Sequence, residues 1–420
     1  MRLGSIPSAA CKFGLVLAAA AAILAAPAAA RTDGVRGVAA NAHLLGPGAV
    51  FTETNNPAGN QVLAFSRAAD GTLTPAGSYP TGGTGSAFGG PLGLPPLDAA
   101  GPVQLVGDGD NRQCLFAVNA GSDSVASFRV GPDGLDLADV EPSGGTRPTS
   151  LTSTTNGPGF LTLYVLNASR AGSNIQGFRV SSQCALTAIP GSNRPTANPN
   201  AFAAQISFDP LGNTLAVSER FPAPVIDIFP VDRNGVAGAP TPNTAANVEP
   251  YGLAWAKNSA GSELLTVSEG GGMNVAASTA STYRLEGTTL VHVDSKPSPG
   301  AACWNRVTNN GKFLYISNPA AGFAPFGTLI PGASETAYAI GHDGTLTAIG
   351  GATTAHSATD NALSHDSQYL YVLSNSLFEG VPAPISAINE YSVDQQTGAL
   401  TPIGVIDGLP SNFLSGLAAW

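Results

Sequence analysis

The feature that most restricts the fold of this 420-residue chain is a phrase it repeats seven times. Hydrophobic alternating runs end in Asn or Glu at Asn55, Asn119, Asn167, Glu219, Glu269, Asn318 and Asn375. Each is followed by a loop, a second run and a turn that opens a third. The run ends are 64, 48, 52, 50, 49 and 57 residues apart. A unit of about 40 to 50 residues holding several strands cannot bury both faces of its own sheet, but a ring of such units can. The repeat therefore predicts an all-β chain, a seven-bladed β-propeller of four-stranded antiparallel blades.

One unit shows the grammar. YGLAWAKNSAGSELLTVSE, from Tyr251 to Glu269, reads as strand, polar turn, strand, and Tyr283–Leu285 and Thr289–Val293 supply a third and fourth. The outer turns recur at Asp70-Gly71, Asp133-Gly134, Asn234-Gly235, Glu286-Gly287, Asp343-Gly344 and Thr397-Gly398, where glycine supplies the positive φ of a tight hairpin. The ends of the chain are complementary. GAVFTETN lacks a first strand before it, whereas SNFLSGLAAW is a first strand with no second after it. Phe413 to Trp420 is therefore expected to complete the first blade, so that the C-terminal strand closes the ring and removes its exposed edges.

Residues 1–30 carry Arg2 and Lys12, an apolar run and a small-residue end at Ala28-Ala29-Ala30, the pattern of a secretory signal peptide. Residues 31–47 read as a lead-in and 48–420 as the propeller, with a secreted or periplasmic location expected. The net charge of −10 becomes −12 without the two basic residues of the signal, which argues against nucleic acid as a partner. No later segment reads as a membrane span, and a monomer is expected. With 11% charged residues, 51 Gly and 33 Pro, the chain suits short strands and turns rather than helices. Cys114, Cys184 and Cys303 match no zinc spacing and read as packed strand residues, an odd number allowing at most one internal disulfide. No metal or cofactor is expected.

With strands lettered A to D from the axis outwards, the D-to-A and B-to-C connections emerge on one face of the ring. The A-to-B and C-to-D turns emerge on the other. The B-to-C loops are long, and a Gly- and Pro-rich D-to-A insertion begins at Thr81, so binding is expected at this loop face. Near it fall Arg147, Arg170, Glu219, Arg220, Glu249, Glu269, Arg306, His356 and Asp360. Glu219 and Glu269 stand where the other units have Asn. They read either as carboxylates able to act as general base or as strand-end caps. His365 and His342 lie in turns of the opposite face. Gly270-Gly271-Gly272 precedes no helix and is not a phosphate cradle, and no G-x-S-x-G elbow occurs. Asn167-Ala168-Ser169 is a glycosylation tripeptide.

The units FAVNAGSDSVASFRVGPDGL, EPYGLAW…LLTVSE and ACWNRVTNNGKFLYISN resemble seven-bladed propellers of the lactonase type, the 6-phosphogluconolactonase-like and carboxymuconate-cyclase-like proteins, from about Gly48 to Trp420. Where that family places a Pro-His pair, this chain reads Arg147-Pro148-Thr149, Glu249-Pro250-Tyr251 and Ser298-Pro299-Gly300. The resemblance implies an exported hydrolase of a lactone or similar small carbohydrate-derived ring. Its expected catalytic groups are Glu219, Glu249 and Glu269 as bases and Arg220 as electrophile. Arg147, Arg306, His356, Asp360 and Trp304 are expected to bind substrate. The alternative is a non-catalytic secreted platform for a protein, glycan or surface ligand, suggested by the apolar loop residues Phe323, Phe326, Leu377 and Phe378.

Overall fold

The computed structural model describes residues 48–86, 97–107, 113–169, 172–257, 263–272, 274–298, 300–319, 335–376, 385–410 and 414–420. The signal and lead-in, Arg170 and the four apolar loop residues lie outside these. Seven antiparallel sheets form, each of four strands in sequence order except the first; blade 3 adds a short segment, Arg194–Pro195, beside its C strand. The inner A strands are Val103–Val106, Pro148–Thr154, Ala203–Phe208, Pro250–Lys257, Trp304–Val307 and Ser357–Leu363 in blades 2 to 7. Blade 1 takes its A strand from the C-terminus. Ser415–Ala419 pairs antiparallel with Gly48–Glu53, as the complementary chain ends foretold.

Burial falls from axis to rim. The B strand of blade 7, Tyr369–Asn375, is buried along nearly its whole length, whereas its D strand, Leu400–Leu409, is half-buried or exposed throughout. The core is accordingly a set of seams between blades. Phe51 and Val62 of blade 1 meet Leu115 and Phe128 of blade 2, and Phe313 and Tyr315 of blade 6 meet Leu370 and Val372 of blade 7. All six outer-turn glycines adopt positive φ. At Gly344, with φ 89°, a Cβ would also lie 2.8 Å from Leu264, so the turn needs glycine for conformation and for space.

A tyrosine on the B strand latches several seams by donating its hydroxyl to the glycine carbonyl of the next blade's outer turn. These are Tyr164 to Gly235 at 2.7 Å, Tyr315 to Gly398 at 2.9 Å and Tyr371 to Gly71 at 2.8 Å, the last spanning the closure. The cysteine expectation needs correction. Cys114 on the B strand of blade 2 is disulfide-bonded to Cys184 in the outer turn of blade 3, because the seam brings their Cα atoms to 5.6 Å. Blade 1 also shifts the repeat register. Its B–C ladder ends at Glu53 opposite Val62, the place that Glu219 holds opposite Val225, so Glu53 and not Asn55 is the strand-end residue there.

Candidate functional site

The described end of the D-to-A connection between blades 1 and 2, from residue 97 on, lies at the loop-face mouth of the central channel. Its last residues form a strap across that mouth. Trp304 Nε1 of blade 6 donates to the Ala99 carbonyl at 3.0 Å, Ala100 N–H donates to Ala204 of blade 4, and Leu151 N–H of blade 3 donates to Gly101 at 2.8 Å. Asp98 carries the polar load. Its Oδ2 lies 2.8 Å from Arg220 Nη1 and its Oδ1 accepts the Tyr251 hydroxyl at 2.9 Å. The Arg220 guanidinium stacks 4.5 Å from the Phe202 ring and 4.9 Å from that of Tyr251. Burial works against its charge, but Asp98, Tyr251 and Glu249 together hold its pKa above the ordinary value. The mouth expected to receive a ligand thus receives the chain itself.

Around this strap the structure gathers four of the expected site residues. Arg220 and Trp304 bind it directly. Arg147 stands 5.6 Å from Phe202, its pKa lowered by burial, with Asp98 and Arg220 acting on it in opposite senses. Glu249 is buried and accepts Gly272 N–H at 3.2 Å. Arg147, Glu249 and Ala301 share positive φ at the entry to blades 3, 5 and 6, a backbone conformation side chains rarely adopt.

The two acids from the repeat lie deeper in their blades. Glu269 is fully buried and accepts from Asn247 N–H at 3.1 Å, from the Tyr283 hydroxyl at 2.8 Å and from the hydroxyls of Thr279 and Ser281. Glu219 accepts Asn198 N–H at 3.2 Å and neighbours Asp227, whose Oδ2 accepts Ala197 N–H at 2.7 Å. Burial pushes the Glu219 carboxyl up. It pushes Asp227 up to about 7, the charge of Glu219 adding to the effect. In both blades the strand-end acid receives the amides of the incoming D-to-A connection, which is cap geometry. His356, immediately before the A strand of blade 7, stands apart from the strap, with Nε2 3.2 Å from the half-exposed Asp407 of the D strand. Asn167 is buried and donates to the Ser143 carbonyl, so its amide is not presented for glycosylation.

The remaining pair faces a cavity. Below the strap the channel holds about 430 Å³, within the range of ligand sites, and Gln104, Ser153, Ser207, Arg306, His365 and Trp420 are among its lining residues. Asn309 and His365, which belong to A-to-B turns, place its opening on the face opposite the long loops. Among the described lining residues the wall carries one guanidinium, that of Arg306, and no acidic side chain. Arg306 donates from Nη1 to the Asn305 carbonyl at 2.8 Å, and its Nη2 lies 3.7 Å from Asp360 Oδ1. Asp360 is fully buried behind it; its carboxylate accepts Asn361 N–H at 2.8 Å, and the Leu417 N–H acts on it as well. Burial pushes this carboxyl up to about 7 against the pull of Arg306.

Asn361 links this pair to a further acid. Its Nδ2 donates to Glu335 at 2.7 Å, and Ser317 donates to the other carboxylate oxygen at 2.7 Å. Burial first, and Asp360 in addition, raise Glu335 to about 8. Sequence reasoning missed Asp98, Tyr251, Asp227 and Glu335. Asp98 had a signal, being the one charged residue in the insertion from Thr81 to Gly101. Glu335 had none, because it follows a long connection outside the repeat grammar.

The chain matches no family model and no curated protein. Solved structures match it closely in shape. The periplasmic gluconolactonase of Pseudomonas aeruginosa aligns with TM-score 0.61 and 15% identity over 89% of this chain and 98% of that one. A candidate 6-phosphogluconolactonase of Bacteroides fragilis aligns with TM-score 0.57 and 18% identity over 89% and 98%. A protein of Lactobacillus plantarum aligns with TM-score 0.60 and 14% identity over 89% and 99%. At such identities the likeness is one of fold, a seven-bladed propeller.

Proposed function

We propose that the protein is an exported hydrolase that opens a lactone or a similar small carbohydrate-derived ring, with its reaction centre in the central channel. The observation that carries this reading is the Arg306–Asp360 pair: a guanidinium on the wall of a ligand-sized cavity, backed by a buried carboxyl whose pKa burial raises to about 7. Ring opening needs a positive group at the carbonyl oxygen and a base for the attacking water. Arg306 supplies the first; Asp360, buried behind it and outside the cavity wall, supplies the second to a water that passes Arg306. Glu219 and Glu269 then act as strand-end caps, and Arg220 and Glu249 as supports of the strap. Export is supported by the Cys114–Cys184 disulfide, a bond typical of oxidising compartments.

The test is lactone opening followed by proton release, using wild type, Arg306→Gln and Asp360→Asn. The expected loss is about 100-fold or more in kcat/KM for each variant. Unchanged turnover in both, with Glu219→Gln or Glu249→Gln inactive and folded, would move the centre to the loop face.

A further inference from the structure

We infer that the 97–102 strap is a fixed stopper, that the channel is a one-ended pocket entered from the A-to-B turn face, and that Asp98 is the positioning residue holding the stopper in place. The strap is bonded to six of the seven blades. The Leu97, Ala99, Gly101 and Pro102 carbonyls accept from Ser415 of blade 1, Trp304 of blade 6, Leu151 of blade 3 and Val118 of blade 2. Ala100 N–H donates to Ala204 of blade 4, whose Arg220 also binds Asp98 together with Tyr251 of blade 5. Leu97, Asp98, Ala99 and Ala100 are each at most 4% exposed. A buried backbone whose carbonyls at Leu97, Asp98, Ala99, Gly101 and Pro102 are held by groups of the ring leaves no polar path for a solute, and moving it would strand those groups without partners.

Asp98 is the strap's single charged side chain, and both its oxygens are taken by groups from different blades. It therefore sets where the strap sits, while Gly101 borders the cavity directly beneath. This inference deepens the channel reading by fixing the class of ligand: a compact single ring that enters end-on past His365 to reach Arg306. A polymer threaded through the ring is excluded.

The experiment reads access and needs no turnover. Ser207 lies on the cavity wall and is replaced by cysteine; among the described residues no free cysteine competes. The rate of its reaction with a small charged thiol reagent is measured in four backgrounds: unaltered, His365→Trp, Asp98→Ala, and both together. His365→Trp should slow labelling at least tenfold, and adding Asp98→Ala should restore it by opening the loop face. Labelling indifferent to His365→Trp, or not restored by Asp98→Ala in a folded protein, overturns the inference. Should Asp98→Ala not fold, Asp98→Asn, which keeps an acceptor for Tyr251 and removes the charge, takes its place. A protein that labels as expected yet opens no lactone contradicts the proposed activity and leaves the access route standing.

Discussion

Deleting Leu414–Trp420 should abolish the folded monomer, and the cost follows from what that segment buries. Leu414 and Leu417 are each 1% exposed and pack against Phe65, Tyr371 and Leu373 at the seam of blades 7 and 1. Losing a buried leucine side chain costs about 2 to 5 kcal/mol. The backbone exchange between Ala49 and Trp420, the Thr52 bond to the Ser415 carbonyl and the Arg67 bond to the Trp420 carbonyl go as well, at about 1 kcal/mol each. The total is about 10 kcal/mol, comparable with the whole stability of an ordinary domain. The deletion also bares the edge of Gly48–Glu53, a strand with every residue buried in the closed ring. Size-exclusion chromatography and thermal melting of the truncated chain are the assay, with Leu417→Ala as a graded control at about 3 kcal/mol. A soluble, monomeric truncation with an unchanged melting temperature would refute the closure argument.

Asp360, Asp227 and Glu335 have folded pKa values raised to about 7, 7 and 8. They bind more protons folded than unfolded between about pH 4 and 8, so stability is fully present below about pH 4 for these groups and declines as pH rises through 7 to 8. Denaturant midpoints should fall across this window, and Glu335→Gln should flatten the decline; midpoints that rise instead contradict the burial argument. Replacing Cys114 and Cys184 by alanine frees a loop of 70 residues and should cost about 4 kcal/mol by chain entropy, read as a lower urea midpoint. Glu269→Ala strands buried donors from Asn247, Tyr283, Thr279 and Ser281 and should destabilise the fold by about 3 kcal/mol or more. Glu269→Gln in a folded protein should leave lactone opening within about twofold on the channel reading; a selective loss of turnover would return this acid to the mechanism.

The sequence was most informative where a physical requirement recurs. Blade number, closure and the outer-turn glycines were legible because every blade must turn tightly at its rim and no edge is left open. The strand-end acids were legible as positions but not as roles, since the same carboxylate can cap a loop or activate water, and only their donors distinguish the two. Glu53 was masked by Asn55 because two polar residues stand two apart and the ladder, not the letters, decides which ends the strand. The channel's accessible side was hidden for another reason. The strap belongs to an insertion without a counterpart in other blades, so no periodicity reveals that Asp98 closes the expected mouth. Arg306 and Asp360 were named as contacts, but their pairing depends on adjacent blades converging at the axis.

The most direct measurement is the position of a bound hydroxy-acid product, the species left after ring opening, in a crystal structure of the protein. Its carboxylate is expected at the Arg306 guanidinium, in the channel beneath the strap. Density for it among Arg147, Arg220 and Glu249 above the strap would place the reaction centre on the loop face instead.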